Sequence, residues 1–159
     1  MLTRIYYCST ATEGVGVEAF KQILEVARRN NVARDLSGML TFNSRIFLQV
    51  LEGHRDRIND LYNTLEQDPR HEKLMILKYE RIMQRDWADW SMAFAAANAA
   101  NRATYLKYSV SSRFNPYLME GDAVEAMMQD MRRTAIALQE DRPKAEAGQE
   151  KGVIARLFS

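Results

Sequence analysis

The first candidate for chemistry is Gln49, a carboxamide in the middle of the most apolar short run of the chain, residues 46–53 (IFLQVLEG). An amide side chain brings two donors and an acceptor, and leaving them unpaired in a core costs about 1–3 kcal/mol. The partner can be a side chain, a backbone group, water or a ligand. A glutamine satisfied within the core is the commonest of these outcomes, so the neighbouring elements must decide between them.

The run around Gln49 is predicted to be a central strand, because both of its faces are mainly apolar. Side chains alternate across a strand, so one face carries Phe47, Gln49 and Leu51 and the other carries Leu48, Val50 and Glu52. A strand covered on both sides buries its side chains. We therefore expect Gln49 to be buried.

The remaining patterns supply the elements that position this strand. Strands are predicted over residues 2–9, 36–42, 73–83 and 90–94, and helices over residues 17–30 and between Gly53 and Asp68, with Asn30 and Asn31 as the stop of the first helix. This order indicates an α+β fold, the ferredoxin-like β-α-β-β-α-β with an extra fifth strand and both helices on one sheet face. Its third strand lies beside the first, so Tyr7 and Gln49 can touch.

The C-terminal part is predicted to cover the other sheet face. Apolar residues recur there at helical spacing: Val124, Met127, Met128, Met131, Ala135 and Leu138. A shorter helix is predicted over residues 105–110, and a back-face cover is favoured over a dimer seam. We expect a folded domain over residues 1–97, a helical extension over 98–139 and a disordered tail over 140–159.

Composition excludes several classes of partner. The chain has 159 residues with 22 basic and 21 acidic side chains, a net charge of +1, so no overall field favours nucleic acid or an anionic membrane. Cys8 is the single cysteine, and no apolar run has signal-peptide or membrane-spanning length. We expect a soluble cytoplasmic protein.

Short motifs in a fixed order carry a resemblance to a known family. They are RIYYCS at 4–9, RNN at 29–31, LSG at 36–38, FLQVLEG at 47–53, DPRH at 68–71 and WSM at 90–92. Together they resemble the successive signatures of BLUF domains, the blue-light receptors that use flavin. The similarity spans about residues 1–97.

The resemblance implies a bound flavin, usually FAD with FMN as the alternative, held edgewise between the two helices on the sheet face of Tyr7 and Gln49. An amide can meet the imide N–H and a carbonyl of the flavin ring at once. The matched positions are Asn31 and Asn30 for the ring's polar edge, Ile23 and Leu65 for its two faces, and Arg70 and His71 for the flavin's polar chain. Without the other motifs, these would read as ordinary helix-end, core and loop residues.

The resemblance also implies a light switch without catalytic turnover. In the family, the tyrosine matching Tyr7 gives an electron, a proton follows through the glutamine matching Gln49, and that glutamine is left rearranged. Trp90 and Met92 match a mobile segment on the last strand, with Trp87 as a competing tryptophan. Output is expected through the C-terminal helices to a separate signalling protein, from a homo-oligomer.

Two other readings remain open on the residues alone. A ferredoxin-like small-molecule-binding enzyme, or a regulatory module without photochemistry, would need a reactive constellation. His54 and His71 are predicted in turns, Cys8 faces away from Tyr7, and no metal-ligand spacing occurs. An RNA-binding module would need exposed aromatic residues on a basic sheet face.

Two positions depart from the family pattern. Asp35 lies where many members have glycine, and the turn at residues 43–45 lacks a glycine. Asn43 in this turn tolerates left-handed backbone geometry, so we expect these departures to have a local rather than a global effect.

Overall fold

The structure is a computed structural model that describes residues 1–90, 92–96 and 102–140, without the side chains of residues 93, 96 and 135–140. Its strands are β1 (Leu2–Ala11), β2 (Ser37–Phe42), β3 (Ile46–His54), β4 (His71–Arg81) and β5 (Ala93–Ala96). Its helices are α1 (Val17–Ala33), α2 (Arg55–Glu66), α3 (Arg102–Tyr108) and α4 (Gly121–Glu140), with a 3-10 turn at Pro116–Leu118 before α4.

The five strands form one sheet in the order β4-β1-β3-β2-β5. β1 pairs antiparallel with both β3 and β4, β2 pairs antiparallel with β3, and β5 lies parallel to β2. This is the predicted ferredoxin-like order with an extra strand. It places Tyr7 directly opposite Gln49 in the β1–β3 register.

Each sheet face carries its own apolar cluster. The front face, covered by α1 and α2, includes Ile5, Tyr7, Phe20, Leu24, Phe47, Leu51, Ile58 and Met92. The back face, covered by α3, α4 and the segment between them, includes Tyr6, Cys8, Leu48, Val50, Trp87, Tyr105, Val124, Met127, Met128 and Met131. The predicted alternation along β3 and the predicted C-terminal cover are thus both observed among the described residues.

The end of α1 differs from the prediction. The helix continues to Ala33, so Asn30 and Asn31 lie within its last turn and do not stop it. The break comes at Asp35, whose φ of 52° is left-handed, and the Leu36 N–H then closes onto the Asn31 carbonyl at 2.8 Å. The family's frequent glycine at position 35 has a physical reason, because glycine adopts this geometry without steric cost.

The start of the last strand is also corrected, and the β2–β3 turn has left-handed geometry. The last strand begins at Ala93, because Trp90 lies in a turn in which its N–H donates to the Trp87 carbonyl at 3.0 Å. In the β2–β3 turn, Ser44 has a left-handed φ of 74°, and the Asn43 Oδ1 accepts a hydrogen bond from the N–H of Ile46 at 2.7 Å.

Some predicted features fall outside the described residues. These are Ser91 of the last motif, the proposed domain boundary near residue 97, and the proposed tail beyond Glu140, which ends α4.

A buried ion cluster on the back face was not predicted. Arg4 is 5% exposed and Glu52 is fully buried, and the Arg4 Nε donates to Glu52 Oε1 at 2.7 Å. The same guanidinium reaches Asp86 at 2.7 Å, Glu80 at 3.2 Å and Glu125 at 3.3 Å. Arg4 therefore joins β1 to β3, β4, the segment before β5 and α4. Although burial opposes the charge, the pKa of Arg4 is raised, first by the hydrogen bond to Glu52 and then by the charge interactions with Tyr6, Glu52 and Asp86.

Glu52 also holds the segment that leads to β5. Its carboxylate accepts from the backbone N–H of Asp86 at 3.1 Å and of Trp87 at 2.9 Å. Arg85 adds bonds to Ser37 Oγ at 2.9 Å and to the Asp35 carbonyl at 2.7 Å. The chain that carries Trp87 and precedes Met92 is thus attached to β3 and to the start of β2.

We predict that Arg4→Met lowers the free energy of unfolding by about 3–5 kcal/mol, because the fully buried Glu52 carboxylate loses its cation. Arg57→Met is the control: Arg57 pairs with Asp35 on the surface at 2.9 Å, and such exposed pairs contribute about 0–1 kcal/mol. Urea denaturation of both variants measures the difference. Similar losses in the two variants would contradict a stabilising role for the buried cluster.

Candidate functional site

Tyr7 and Gln49 form a hydrogen-bonded pair on the front face. The Tyr7 hydroxyl donates to Gln49 Oε1, as their opposed positions in the β1–β3 register allow. Tyr7 is 2% exposed, but Gln49 is only half-buried. The prediction of a buried Gln49 is therefore corrected: the amide remains accessible from the front face, whereas its neighbours Leu48 and Val50 are fully enclosed by the back-face cover.

The other end of the Gln49 amide meets Met92. Gln49 Nε2 lies 3.4 Å from Met92 Sδ, and Met92 is 2% exposed. A thioether is a weak hydrogen-bond acceptor, so this amide N–H is poorly satisfied. The arrangement gives Gln49 one good partner, Tyr7, and one that a stronger acceptor would readily replace.

The Tyr7 phenol is held in its neutral form. Burial raises the pKa of Tyr7, and the nearby Tyr62 raises it further. The two rings meet edge to face with centroids 5.7 Å apart. Tyr7 therefore keeps its proton at neutral pH while that proton is directed at Gln49.

Met92 and Trp90 lie on opposite faces of the sheet. Trp90 packs against the back-face cluster, with its ring centroid 5.3 Å from that of Trp87. The Arg132 guanidinium of α4 lies over both rings, 5.7 Å from Trp87 and 5.9 Å from Trp90. The structure thus brings Met92 to Gln49 and places Trp90 against α4.

The residues matched to the flavin ring lie on the two front-face helices. Ile23 on α1 and Leu65 on α2 pack against the front cluster. Asn31 is 2% exposed and Asn30 is half-buried, both near the end of α1. Carboxamides beside apolar helix residues on one face suit a planar heterocycle with an imide edge, which needs a donor, an acceptor and apolar cover.

The residues matched to the flavin's polar chain have protein partners. Arg70 binds Asp68 through Nη2 at 2.6 Å and Nε at 3.0 Å, and this contact raises the pKa of Arg70 and lowers that of Asp68. His71 Nδ1 lies 2.9 Å from Ser9 Oγ. Burial lowers the pKa of His71, so its imidazole is neutral at pH 7.

Sequence reasoning missed two contributors. Arg28 Nε donates to the Met92 carbonyl at 3.0 Å and ties α1 to the residue beneath Gln49. Ser9 faces the same side as Tyr7 and contacts His71. Ser9 was recoverable from strand alternation, whereas Arg28 is indistinguishable in sequence from a solvated arginine in a helix's last turn.

The rival chemistry finds no support in the geometry. Cys8 faces the back cluster, away from Tyr7, and burial raises the pKa of its thiol to about 12. Among the described residues, no group of His, Cys, Asp or Glu has the arrangement to hold a metal ion. Within the same residues, no helix is long and apolar enough to cross a membrane.

The fold and the site define a class: a ferredoxin-like domain with a phenol–carboxamide pair on the sheet face that its two helices cover, and with further amides near the end of the first helix. The chain belongs to the BLUF family, described as sensors of blue-light using FAD, which matches residues 2–93. Blue-light sensing, FAD as cofactor and the role of a photoreceptor domain are thereby confirmed.

Similar proteins agree with this assignment. The blue light- and temperature-regulated antirepressor BluF of Escherichia coli K12 is 34% identical over 77 residues, 48% of this chain and 19% of that protein. The chain therefore spans about a fifth of that relative's length. The dark-state structure of BlrB, a BLUF protein, has a TM-score of 0.71 at 25% identity, covering 84% of this chain and 96% of that one. BlsA in its photo-activated state has a TM-score of 0.76 at 24% identity, covering 82% and 94%.

We predict that stability falls as pH falls from 7.5 to 5.5, in part through His71. The unfolded histidine titrates near its ordinary pKa of about 6.5, whereas burial lowers the folded value, so the unfolded state binds the extra proton first in this window. Urea denaturation at several pH values measures the slope. His71→Gln should flatten it, and an unchanged slope would contradict this role.

Proposed function

We propose that Tyr7 and Gln49 are the photochemical pair of a reversible blue-light switch, with the flavin held on the front face by Asn30, Asn31, Ile23 and Leu65. The observation that supports this proposal is the pair of contacts at Gln49: the Tyr7 hydroxyl donates to Gln49 Oε1, while Gln49 Nε2 contacts the sulfur of Met92. Arg70 and His71 are proposed to flank the flavin's polar chain.

The residues have complementary tasks. Bound flavin would absorb blue light and accept one electron. Tyr7 supplies that electron and releases its proton along its hydrogen bond to Gln49 Oε1. The return of both restores the phenol and leaves the Gln49 carboxamide rearranged. An amide is suited to this, because rotation or tautomerisation exchanges donor for acceptor without placing a charge in the core.

Two polar contacts link this change to the rest of the chain. A rearranged Gln49 presents a different group to Met92, whose carbonyl is held by Arg28 of α1. Two residues earlier, Trp90 lies under Arg132 of α4. We propose that a shift of the segment around Met92 alters the contact between Trp90 and α4 on the opposite face.

The output is proposed to be contact with a separate signalling protein in the cytoplasm, from a homo-oligomer. The E. coli relative BluF is a blue light- and temperature-regulated antirepressor, and this supports an output that is passed to another protein. Exposed apolar side chains at Leu106, Val110 and Leu118 in the C-terminal part supply contact surface. We propose that the sensor domain spans residues 1–97 and the helical extension residues 98–139.

We predict that Tyr7→Phe and Gln49→Leu bind flavin but lose the reversible light-induced shift of its absorption to longer wavelength. Phenylalanine has no proton to give, and leucine cannot accept one. Tyr6→Phe is the matched control, since Tyr6 is fully buried on the back face and its hydroxyl has no partner among the described residues. Absorption spectra in darkness and under blue light measure this. A normal shift in Tyr7→Phe, or its loss in Tyr6→Phe, would overturn the assignment.

We predict that Met92→Ala keeps the spectral shift but weakens the light-induced change in amide exchange of α4. The alanine has no sulfur to contact Gln49, so the rearrangement would not reach the segment beside Trp90. Met75→Ala, at an exposed methionine of β4, is the control and should behave as the parent. Hydrogen-exchange mass spectrometry in both light conditions measures the change. Equal α4 responses in parent and Met92→Ala would exclude this route.

A further inference from the structure

A cleft lies on the back face, at the end of the sheet where β1 ends and β4 begins. Its volume is about 800 Å³, and its walls carry Arg45, Lys73, Arg102 and Arg113. No carboxylate lines it within the described parts of the chain. Tyr117 of its wall packs against the back cluster, so the cleft opens on the side opposite Tyr7 and Gln49.

The four cations come from four separate segments. Arg45 is the last residue of the β2–β3 turn, Lys73 lies near the start of β4, Arg102 begins α3, and Arg113 lies between α3 and α4. None of them has an ion-pair partner within residues 1–90, 92–96 and 102–140, whereas other cations such as Lys78 do. In a chain with a net charge of +1, this convergence is a marked local excess.

The backbone is strained where two of these cations lie. Lys73 has a φ of 55°, and Ser44, just before Arg45, has a φ of 74°. Left-handed geometry in such residues costs about 1–2 kcal/mol each, and it concentrates at functional sites. The β1–β4 register also shifts between Cys8 and Thr10, a bulge that redirects side chains near Lys73.

Tyr117 fixes this strained segment to the C-terminal part. Its hydroxyl lies 2.9 Å from Thr10 Oγ1 and donates to the Lys73 carbonyl at 2.9 Å. The cleft wall is therefore built jointly by the sheet and by the segment before α4.

An unsatisfied acceptor completes the wall. Asn115 lines the cleft, and its Oδ1 is buried without a hydrogen bond from any described residue. A buried acceptor left unpaired is costly, so a ligand with a hydroxyl or amino group beside its anionic groups would relieve it. Inorganic phosphate groups that are fully ionised cannot do so.

We propose that this cleft binds a nucleotide, with its phosphates among Arg45, Lys73, Arg102 and Arg113 and a hydroxyl or amino donor on Asn115. Guanidinium groups match phosphate oxygens in pairs, and the volume lies within the range of small-molecule pockets. Cations gathered in a concave site suit a compact anion, whereas a nucleic-acid duplex needs them spread along a surface. The proposal does not depend on the photochemistry.

The test is isothermal titration of the full chain, flavin-loaded and kept dark, with ATP and GTP as probes. The Arg45→Gln/Arg113→Gln variant should bind at least about tenfold more weakly, because two phosphate partners are lost. Arg81→Gln is the control: it removes one exposed charge at the far end of β4, about 25 Å along the strand from Lys73, and should change affinity less than about twofold. Circular dichroism confirms that each variant is folded.

Two comparisons test the chemistry of the ligand. Asn115→Leu should weaken ATP binding while leaving inorganic tripolyphosphate binding unchanged. A polyglutamate peptide and a DNA duplex should bind more weakly than ATP. The proposal is overturned if neither nucleotide binds at millimolar concentration, if the double variant binds as the parent does, or if the peptide or the duplex binds more tightly.

Discussion

The antiparallel register of β1 and β3 is the constraint on which the rest of the structure depends. It places Tyr7 opposite Gln49, and every odd-numbered side chain of the pair then faces α1 and α2. Because strand side chains alternate with a period of two, a slip of one residue between β1 and β3 would put the phenol and the amide on opposite faces of the sheet. The register is held by apolar residues on both faces and, at its far end, by the Arg4 and Glu52 pair. The proposed photochemical pair and the proposed output surface thus share one strand alignment.

β3 also links the two faces of the sheet. Gln49 points to the front, whereas Glu52, three residues later, points to the back and accepts the N–H groups of the chain leading to β5. Glu52 also binds Arg4, which reaches Glu125 on α4. The segment before β5 is therefore attached to the buried charge cluster through Asp86 and Trp87. Met92, the residue just before β5, contacts the Gln49 amide. We propose that these ionic contacts pass a movement of this segment on to α4.

The strands, their faces and the contact between Tyr7 and Gln49 could be predicted, because periodicity and the ferredoxin-like order contain that information. Met92 was named as a site residue only through the family resemblance, because no local sequence pattern relates it to Gln49, 43 positions earlier. Arg4 and Glu52 read in sequence as ordinary strand charges, and their burial depends on three-dimensional cover from α4 and the segment around Asp86. The end of α1 was misplaced because the break depends on the left-handed geometry of Asp35 rather than on Asn30 or Asn31.

The proposed switch depends on the unequal hydrogen-bond partners of Gln49. An amide with two strong partners would be fixed, because each rearrangement would break about 1 kcal/mol of net hydrogen bonding at both ends. Here the bond from Tyr7 orients one end, and the sulfur of Met92 resists little at the other. A neutral rearrangement also avoids moving a charge into an apolar cluster, which would cost several times more. We therefore propose that the site holds two arrangements of the Gln49 amide, which differ in the group that faces Tyr7 and the group that faces Met92.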